Sequence, residues 1–352
     1  MADFHTKYVD RGNGRSLWLY AESAREYELL ESLPAVPSAD AHMRWHPLLR
    51  EWVCHAGARQ GRTFLPDAAD CPLCPATKGG KLTDMPATDY KVAIFSNRFS
   101  ALSGVAGTPP ELGVETVPGI GFCDVVCYSA DHHSSFATIG VDRISLLIAA
   151  LGHRWDALMQ DERIQYVLPF ENRGREIGVT LDHPHGQIYA LSHVPALIAR
   201  EAESFAQANP LADIAEHINP ALILTQNDCG IVMVPEWGRY PFETWVVPHR
   251  RMASPADFNA EERIQFAALM HDAVSRLDAV HGAPMPYTLG WHTAPRGSQD
   301  SFHFYCAFRP LRRSADKLKY LASVEQITGT FLVDIPPEQA AELLADSVTK
   351  HV

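Results

Sequence analysis

Cysteine is scarce in this chain, with seven in 352 residues, and only Cys71 and Cys74 form a tight Cys-x-x-Cys pair. So odd and scattered a set is not a disulfide framework; it fits a reduced compartment. Basic charge is short as well. Thirty Lys and Arg stand against 42 Asp and Glu, a formal net charge of −12. That balance speaks against a general nucleic-acid binder, whose affinity rests on cations neutralising phosphates. It still leaves room for a nucleotide held by a few local arginines. No apolar run reaches the length of a membrane span, and the first eight residues, Met1 to Tyr8, lack the basic-then-apolar pattern of a secretory signal. The expectation is a cytoplasmic protein with no nucleic-acid and no membrane partner. What is present is an ordinary globular composition, 46% hydrophobic and 20% charged. The length suits one large or two ordinary domains, each with a core.

The most particular stretch runs from Phe170 to Ala190 and contains His183-Pro-His-Gly-Gln187. Two histidines two apart on extended backbone project to one side. The intervening Pro184 fixes a φ angle and removes a donor, and Gly186 permits close approach to the backbone. Gln187 adds an amide that both donates and accepts. These parts suit phosphoryl chemistry: a histidine nucleophile and an amide to orient what it attacks. Elsewhere, Cys71-Pro-Leu-Cys74 is either a redox pair or half of a zinc site. Its Pro-rich turn favours the metal, and two cysteines need two further ligands to close a tetrahedral site.

Periodicity predicts strands near 92–96, 122–128, 166–170, 229–234, 242–247, 286–291 and 301–308. It predicts helices near 21–33, 141–158, 195–209, 260–280 and 336–349, the fourth opening on a capping box at Asn259 and Glu262. Strand, histidine, helix, strand, strand occurs twice. His132 precedes His183 much as His249 precedes His303, and the second copy reads His303-Phe-Tyr305 in place of His-x-His. The fold class expected is α+β: two tandem histidine-triad-like domains, each a mainly antiparallel sheet with flanking helices. The expected divisions are an N-terminal arm at 1–42, a catalytic domain with the metal site at 43–194, and a degenerate second domain at 195–352.

His-Pro-His-Gly-Gln, preceded by Asn172 and two glycines, resembles the His-x-His-x-Gln nucleotidyl transferase branch of the histidine-triad superfamily. Within it the resemblance is to the galactose-1-phosphate uridylyltransferase family. It covers roughly residues 43–348 and includes Arg44-Trp-His-Pro-Leu48, read as an opening strand, and Phe95-Ser-Asn-Arg-Phe99. It implies an enzyme that moves UMP between UDP-glucose and galactose 1-phosphate by two displacements, with His185 as nucleophile and Gln187 on the phosphoryl oxygens. For substrate contacts it implies Arg59 and Arg62 at phosphates, Phe95, Asn97 and Phe99 around uridine, and Asn172, Gly178 and Thr180 in the loop before the nucleophile. Lys319 and Glu325 fall in its hexose-phosphate region. It implies a structural zinc on Cys71, Cys74, His132 and His183, with His133 competing for the third place, and a homodimer. A second metal site at Glu201, His292 and His303 is tentative, because Tyr305 stands where a further histidine is expected. Arg98, Val324 and Phe331 also depart from the family pattern. The last two leave a phosphorylase or hydrolase on the same fold as a rival reading, and a zinc-stabilised nucleotide-binding protein without turnover is a third.

Overall fold

The computed structural model describes residues 4–34, 41–57, 59, 65–105 and 107–349. Its centre is a sheet of eleven strands. The first half of the chain contributes six: β1 (His5–Asp10), β2 (Ser16–Ala21), β5 (Val92–Ser96), β7 (Gly121–Cys127), β8 (Tyr166–Arg173) and β9 (His185–Leu191). The second half contributes β10 (Ile223–Gln226), β11 (Gly230–Met233), β12 (Thr244–Pro248), β13 (Tyr287–His292) and β14 (Tyr305–Pro310). In space the order is β1-β2-β5-β7-β9-β8-β13-β14-β12-β11-β10, antiparallel at every step. A smaller sheet pairs β3 (His42–His46) with β4 (Glu51–His55) and β6 (Thr116–Pro118). The run expected as one opening strand is thus a hairpin, turned at Arg50 with φ 55°.

Alternation along the strands sorts side chains onto two faces. One face carries Ile94, Val126, Ile188, Val167, Leu289, Phe308 and Val246, buried under α1 (Val141–Met159) and α4 (Ala260–Ala279), which join the same core. The other carries His185, Gln187 and Tyr189, with Phe170 opposite Gln187 in register. Because both faces of the central strands are covered, β7 and β12 read as almost continuous apolar runs. The capping box at Asn259 and Glu262 forms as expected and starts α4.

The two halves repeat. Along the junction Phe170 pairs with Gly290, while Gln187 pairs with Phe170 and Ala307 with Gly290. Val125 pairs with Gln187 as Trp245 pairs with Ala307. Each residue and its counterpart lie 120 positions apart. The same step carries His183 onto His303 and His185 onto Tyr305. β8 and β13 meet at the axis of this repeat, so the halves share one sheet.

The segment at 21–33 is not the expected helix. Its backbone bonds instead to residues 83–88, with Leu30 N–H on the Pro86 carbonyl and Thr88 N–H on the Glu28 carbonyl. A distant segment of the same chain supplies the partners that a helix would have supplied internally. The N-terminal residues pack on the body as the edge of the sheet: β1 is its outermost strand, and β2 pairs with β5 and buries Leu17, Leu19 and Tyr20. α3 (Pro210–His217), opened by the Asn209 side chain, follows α2 (Ala196–Gln207) and was not anticipated.

Candidate functional site

His183 lies just before β9, and His185 is the strand's first residue. The His185 Nδ1 lies 2.7 Å from the His183 carbonyl oxygen. A carbonyl only accepts, so Nδ1 carries the proton and Nε2 keeps its lone pair. Desolvation pushes the imidazole below its ordinary value, with the bond to the His183 carbonyl opposing. Gly186 is required by its surroundings. A Cβ there would come within 2.3 Å of the Tyr128 hydroxyl and 2.8 Å of the Phe170 carbonyl oxygen.

Donor atoms of Cys71, Cys74, His132 and His183 all lie within 4.8 Å of one another. His183 is held from behind. Its Nε2–H donates to the Ser129 carbonyl at 2.9 Å, with the Tyr90 hydroxyl 3.2 Å away. That leaves Nδ1 facing Cys74 Sγ at 3.5 Å, and His132 Nδ1 faces the same sulfur at 3.4 Å. Two thiols and two imidazoles make an S2N2 donor set, the number and kind of ligands that close a tetrahedral site. It is the one such metal-competent group among the described residues. His133 is not in it: its backbone N–H donates to the Asp131 side chain, and it is the His132 ring that meets Cys74 Sγ and His183.

A cavity of about 80 Å³ borders His185 and Gln187 and is lined by Arg59, Phe95, Asn97, Phe99 and Thr180, among others. A second, of about 190 Å³, shares His185 and includes Asn172. Arg59 Nη1 donates to the Tyr189 hydroxyl at 2.9 Å and to the Phe99 carbonyl at 3.3 Å. Asn97 uses its side-chain oxygen to hold Phe99 N–H. Phe95 belongs to the core beneath, 1% exposed. Gly178 adopts a left-handed conformation, φ 81°, closing the short turn before Thr180. Arg62 lies outside the described residues. Tyr189 was missed in the sequence, although it lies two strand positions beyond Gln187 and shares its face.

Two expected groupings look different in space. Glu201 and His292 meet, Oε2 to Nδ1 at 3.0 Å. His303 stays apart, with Nδ1 on the Asn209 side chain and Nε2–H on the Pro248 carbonyl at 2.8 Å. Both of its nitrogens are used, so it has no lone pair to offer a shared ion. Lys319 and Glu325 form a buried ion pair at 2.7 Å, and the ammonium also meets the Leu332 carbonyl. Their charges answer one another.

An antiparallel sheet doubled about its own junction, with a long helix behind each half, is the fused histidine-triad-like class of fold. Within that class the chain belongs to the galactose-1-phosphate uridyl transferase family: the N-terminal domain of that family matches residues 31–195, and its C-terminal domain matches 202–352. The galactose-1-phosphate uridylyltransferase of Thermotoga maritima is 31% identical over 319 residues, covering 87% of this chain and 98% of the relative. That of Streptomyces lividans is 31% identical over 331 residues and covers 88% of each. A solved uridylyltransferase superposes with a TM-score of 0.79 at 25% identity, covering 88% of this chain and 99% of its own. An ADP-glucose phosphorylase from Arabidopsis thaliana shares the fold, with a TM-score of 0.65 at 21% identity over 86% of this chain and 98% of its own. The chain is a transferase that moves a uridylyl group. No helix among the described residues is long and apolar enough to cross a membrane.

Proposed function

We propose that the enzyme exchanges UMP between UDP-glucose and galactose 1-phosphate through a uridylylated His185. The observation that carries this reading is the bond from His185 Nδ1 to the His183 carbonyl, which leaves Nε2 as a free lone pair beside the cavity. In the first displacement Nε2 attacks the α-phosphorus of UDP-glucose. A P–N bond forms while the bond to the bridging oxygen breaks, and glucose 1-phosphate leaves with that electron pair. In the second, a phosphate oxygen of galactose 1-phosphate attacks the same phosphorus. The P–N bond breaks, its electrons return to Nε2, and UDP-galactose departs.

Phosphoryl transfer relies mainly on positioning and electrostatics. Gln187, two positions along the same face, donates its amide to the α-phosphoryl oxygens. Arg59, braced by Tyr189, offsets the charge that moves there, with Arg62 as its companion. Asn172, Gly178 and Thr180 shape the approach to the phosphates, and Asn97 and Phe99 hold the base above Phe95. Zinc is the ion that suits the S2N2 set of Cys71, Cys74, His132 and His183. Bound there, it would tie the Cys71–Cys74 turn to the segment entering β9, fixing the His183 carbonyl on which His185 depends. The enzyme is read as a cytoplasmic homodimer, checked by sedimentation; Leu48 and Leu49, exposed at the β3–β4 turn, fit such a contact.

Intact-mass spectrometry of the protein mixed with UDP-glucose and no acceptor tests the proposal. The expected result is a gain of one uridylyl group that His185→Ala abolishes without loss of metal. An unmodified protein with UDP-glucose unconsumed would overturn it. Release of free UMP would replace it with a hydrolase, and turnover only with inorganic phosphate with a phosphorylase.

A further inference from the structure

The hairpin of β1 and β2 precedes residue 31, where the match to the family begins. Its turn nevertheless meets residues that line the cavity at His185. Two arginines close that turn, with Arg11 N–H bonded to the Arg15 carbonyl. The Arg11 side chain donates to the Ser32 hydroxyl at 2.7 Å and lies 6.0 Å from the centre of the Phe95 ring. Arg15 donates to the Leu33 carbonyl at 3.1 Å and to Asp84 Oδ1 at 3.2 Å. Phe95 and Asp84 both line the cavity. Asp84 is also held through its backbone, its N–H donating to the Pro72 carbonyl at 2.7 Å. Its Oδ1 is taken by Arg15, and Oδ2 has no bond among the described residues.

Arg98 lines the same cavity, at a position where the chain departs from the family pattern. It is half-buried, and its guanidinium carbon lies 5.0 Å from the centre of the Phe99 ring. Among the described residues it has neither a hydrogen-bond acceptor nor an ion-pair partner. The other arginine of the cavity, Arg59, is committed to the Tyr189 hydroxyl and the Phe99 carbonyl. Asp84 is close enough to feel the charge: desolvation raises its carboxyl above the ordinary range, and Arg15, Arg98 and Arg11 oppose the rise. Yet no ion pair joins Arg98 to Asp84. A half-buried guanidinium without an acceptor carries a desolvation cost that an acceptor on a bound ligand offsets. Beside the two charges stand the apolar Pro72, Leu73, Phe95 and Phe99. The cavity thus offers a flat, apolar body one donor group and one acceptor group.

Uracil has an edge that answers both: a carbonyl oxygen that only accepts, next to a ring N–H that only donates. Cytosine reverses the pattern, with an amino group in place of the oxygen and a lone pair in place of the N–H. We propose that Arg98 and Asp84 select the base of the nucleotide, Arg98 donating to a uracil carbonyl oxygen and Asp84 accepting the adjacent ring N–H. Arg15 is a positioning residue that acts through Asp84, so the hairpin ahead of the family match takes part in the choice of substrate. The inference rests on reading the His185 cavity as the nucleotide site. Cytosine would set donor against donor and acceptor against acceptor, and polar groups left unpaired in an enclosed site give strong discrimination.

Calorimetric titration of the full-length enzyme with UMP and with CMP tests the selection. The expected result is UMP bound at least about tenfold tighter than CMP. Arg98→Met keeps the stem, removes the donors, and brings the two affinities within about threefold by weakening UMP. Asp84→Asn replaces an acceptor with an amide that can donate to the cytosine ring nitrogen. CMP binding then strengthens while UMP binding weakens, a gain that a misfolded variant cannot show. Arg15→Met lowers the preference for UMP when Asp84 is present and leaves it unmoved in Asp84→Asn, which a general loss of hairpin stability does not do. The inference is overturned if wild type binds the two nucleotides alike, or if UMP keeps its advantage in both Arg98→Met and Asp84→Asn. Failure of the reading beneath it looks different, because neither nucleotide would then bind to wild type, and both conclusions would fall together. Whether His185 becomes uridylylated does not enter these readouts.

Discussion

Glu171 is a carboxyl group in the middle of the sheet, on the face buried under the helices. It is 4% exposed and accepts from the Tyr287 hydroxyl at 3.0 Å. Desolvation pushes its pKa from 4.5 up to about 7, with the nearby Arg173 charge and the tyrosine bond opposing and Asp278 adding to the rise. The folded protein therefore binds a proton here between about pH 4.5 and 7 that the unfolded chain has released. Stability from this group is complete below pH 4.5 and is lost as the pH climbs through 7. At about 1.4 kcal/mol per pH unit, the rise amounts to roughly 3 kcal/mol. Glu171→Gln keeps the shape and an acceptor for Tyr287 while deleting the ionisation. Urea unfolding of both proteins from about pH 5 to about pH 8 should give similar stabilities at the acid end. The variant should be ahead by about 2–3 kcal/mol at the alkaline end. Taking the difference cancels the histidines and thiols of the metal cluster, which titrate in both proteins. Curves that run parallel across the range would mean that Arg173 already compensates the ionised form, and the reasoning would be wrong.

Gly186→Ala drives a methyl group into the Tyr128 hydroxyl and the Phe170 carbonyl; the expected loss is on the order of 1–3 kcal/mol, and Tyr128→Phe should restore part of it in the double variant, as read by thermal melting. Cys74→Ser removes the ligand that faces both histidines, so atomic absorption should show metal falling from about one per chain to near none, with the melting temperature falling alongside; a variant that keeps its full metal would remove Cys74 from the ligand set.

How much of this was legible depends on how far apart the partners lie in the chain. The strand through His185, Gly186 and Gln187 could be read because its residues are contiguous and its period is two. α4 could be read because Asn259 and Glu262 announce it. Cys71 and Cys74 signal a metal by their spacing together with the Pro-rich turn that holds them. The choice between His132 and His133 is not in the local pattern, since it depends on which ring reaches Cys74, 58 positions away. Glu171 and Tyr287 are 116 positions apart, and nothing near either one points to the other. Lys319 and Glu325 look like free charges in a polar segment until folding presses them together. The helix expected at 21–33 failed for the same reason. Its competing partner, 83–88, is distant in sequence and adjacent in space.

The fusion of the two halves through β8 and β13 also governs how the enzyme can move. β9, which carries His185, lies in the interior of an eleven-strand sheet, bonded on both sides to β7 and β8. Opening such a strand requires breaking two ladders at once, so its amides belong with the slowest to exchange, at the global end of the stability range. His185 therefore stands on a fixed wall. Under the proposed exchange, the rearrangements that admit a substrate or release a product fall to the turns around it, such as the segment after β5 with Asn97 and Phe99, while the His185 imidazole keeps one place through both half-reactions.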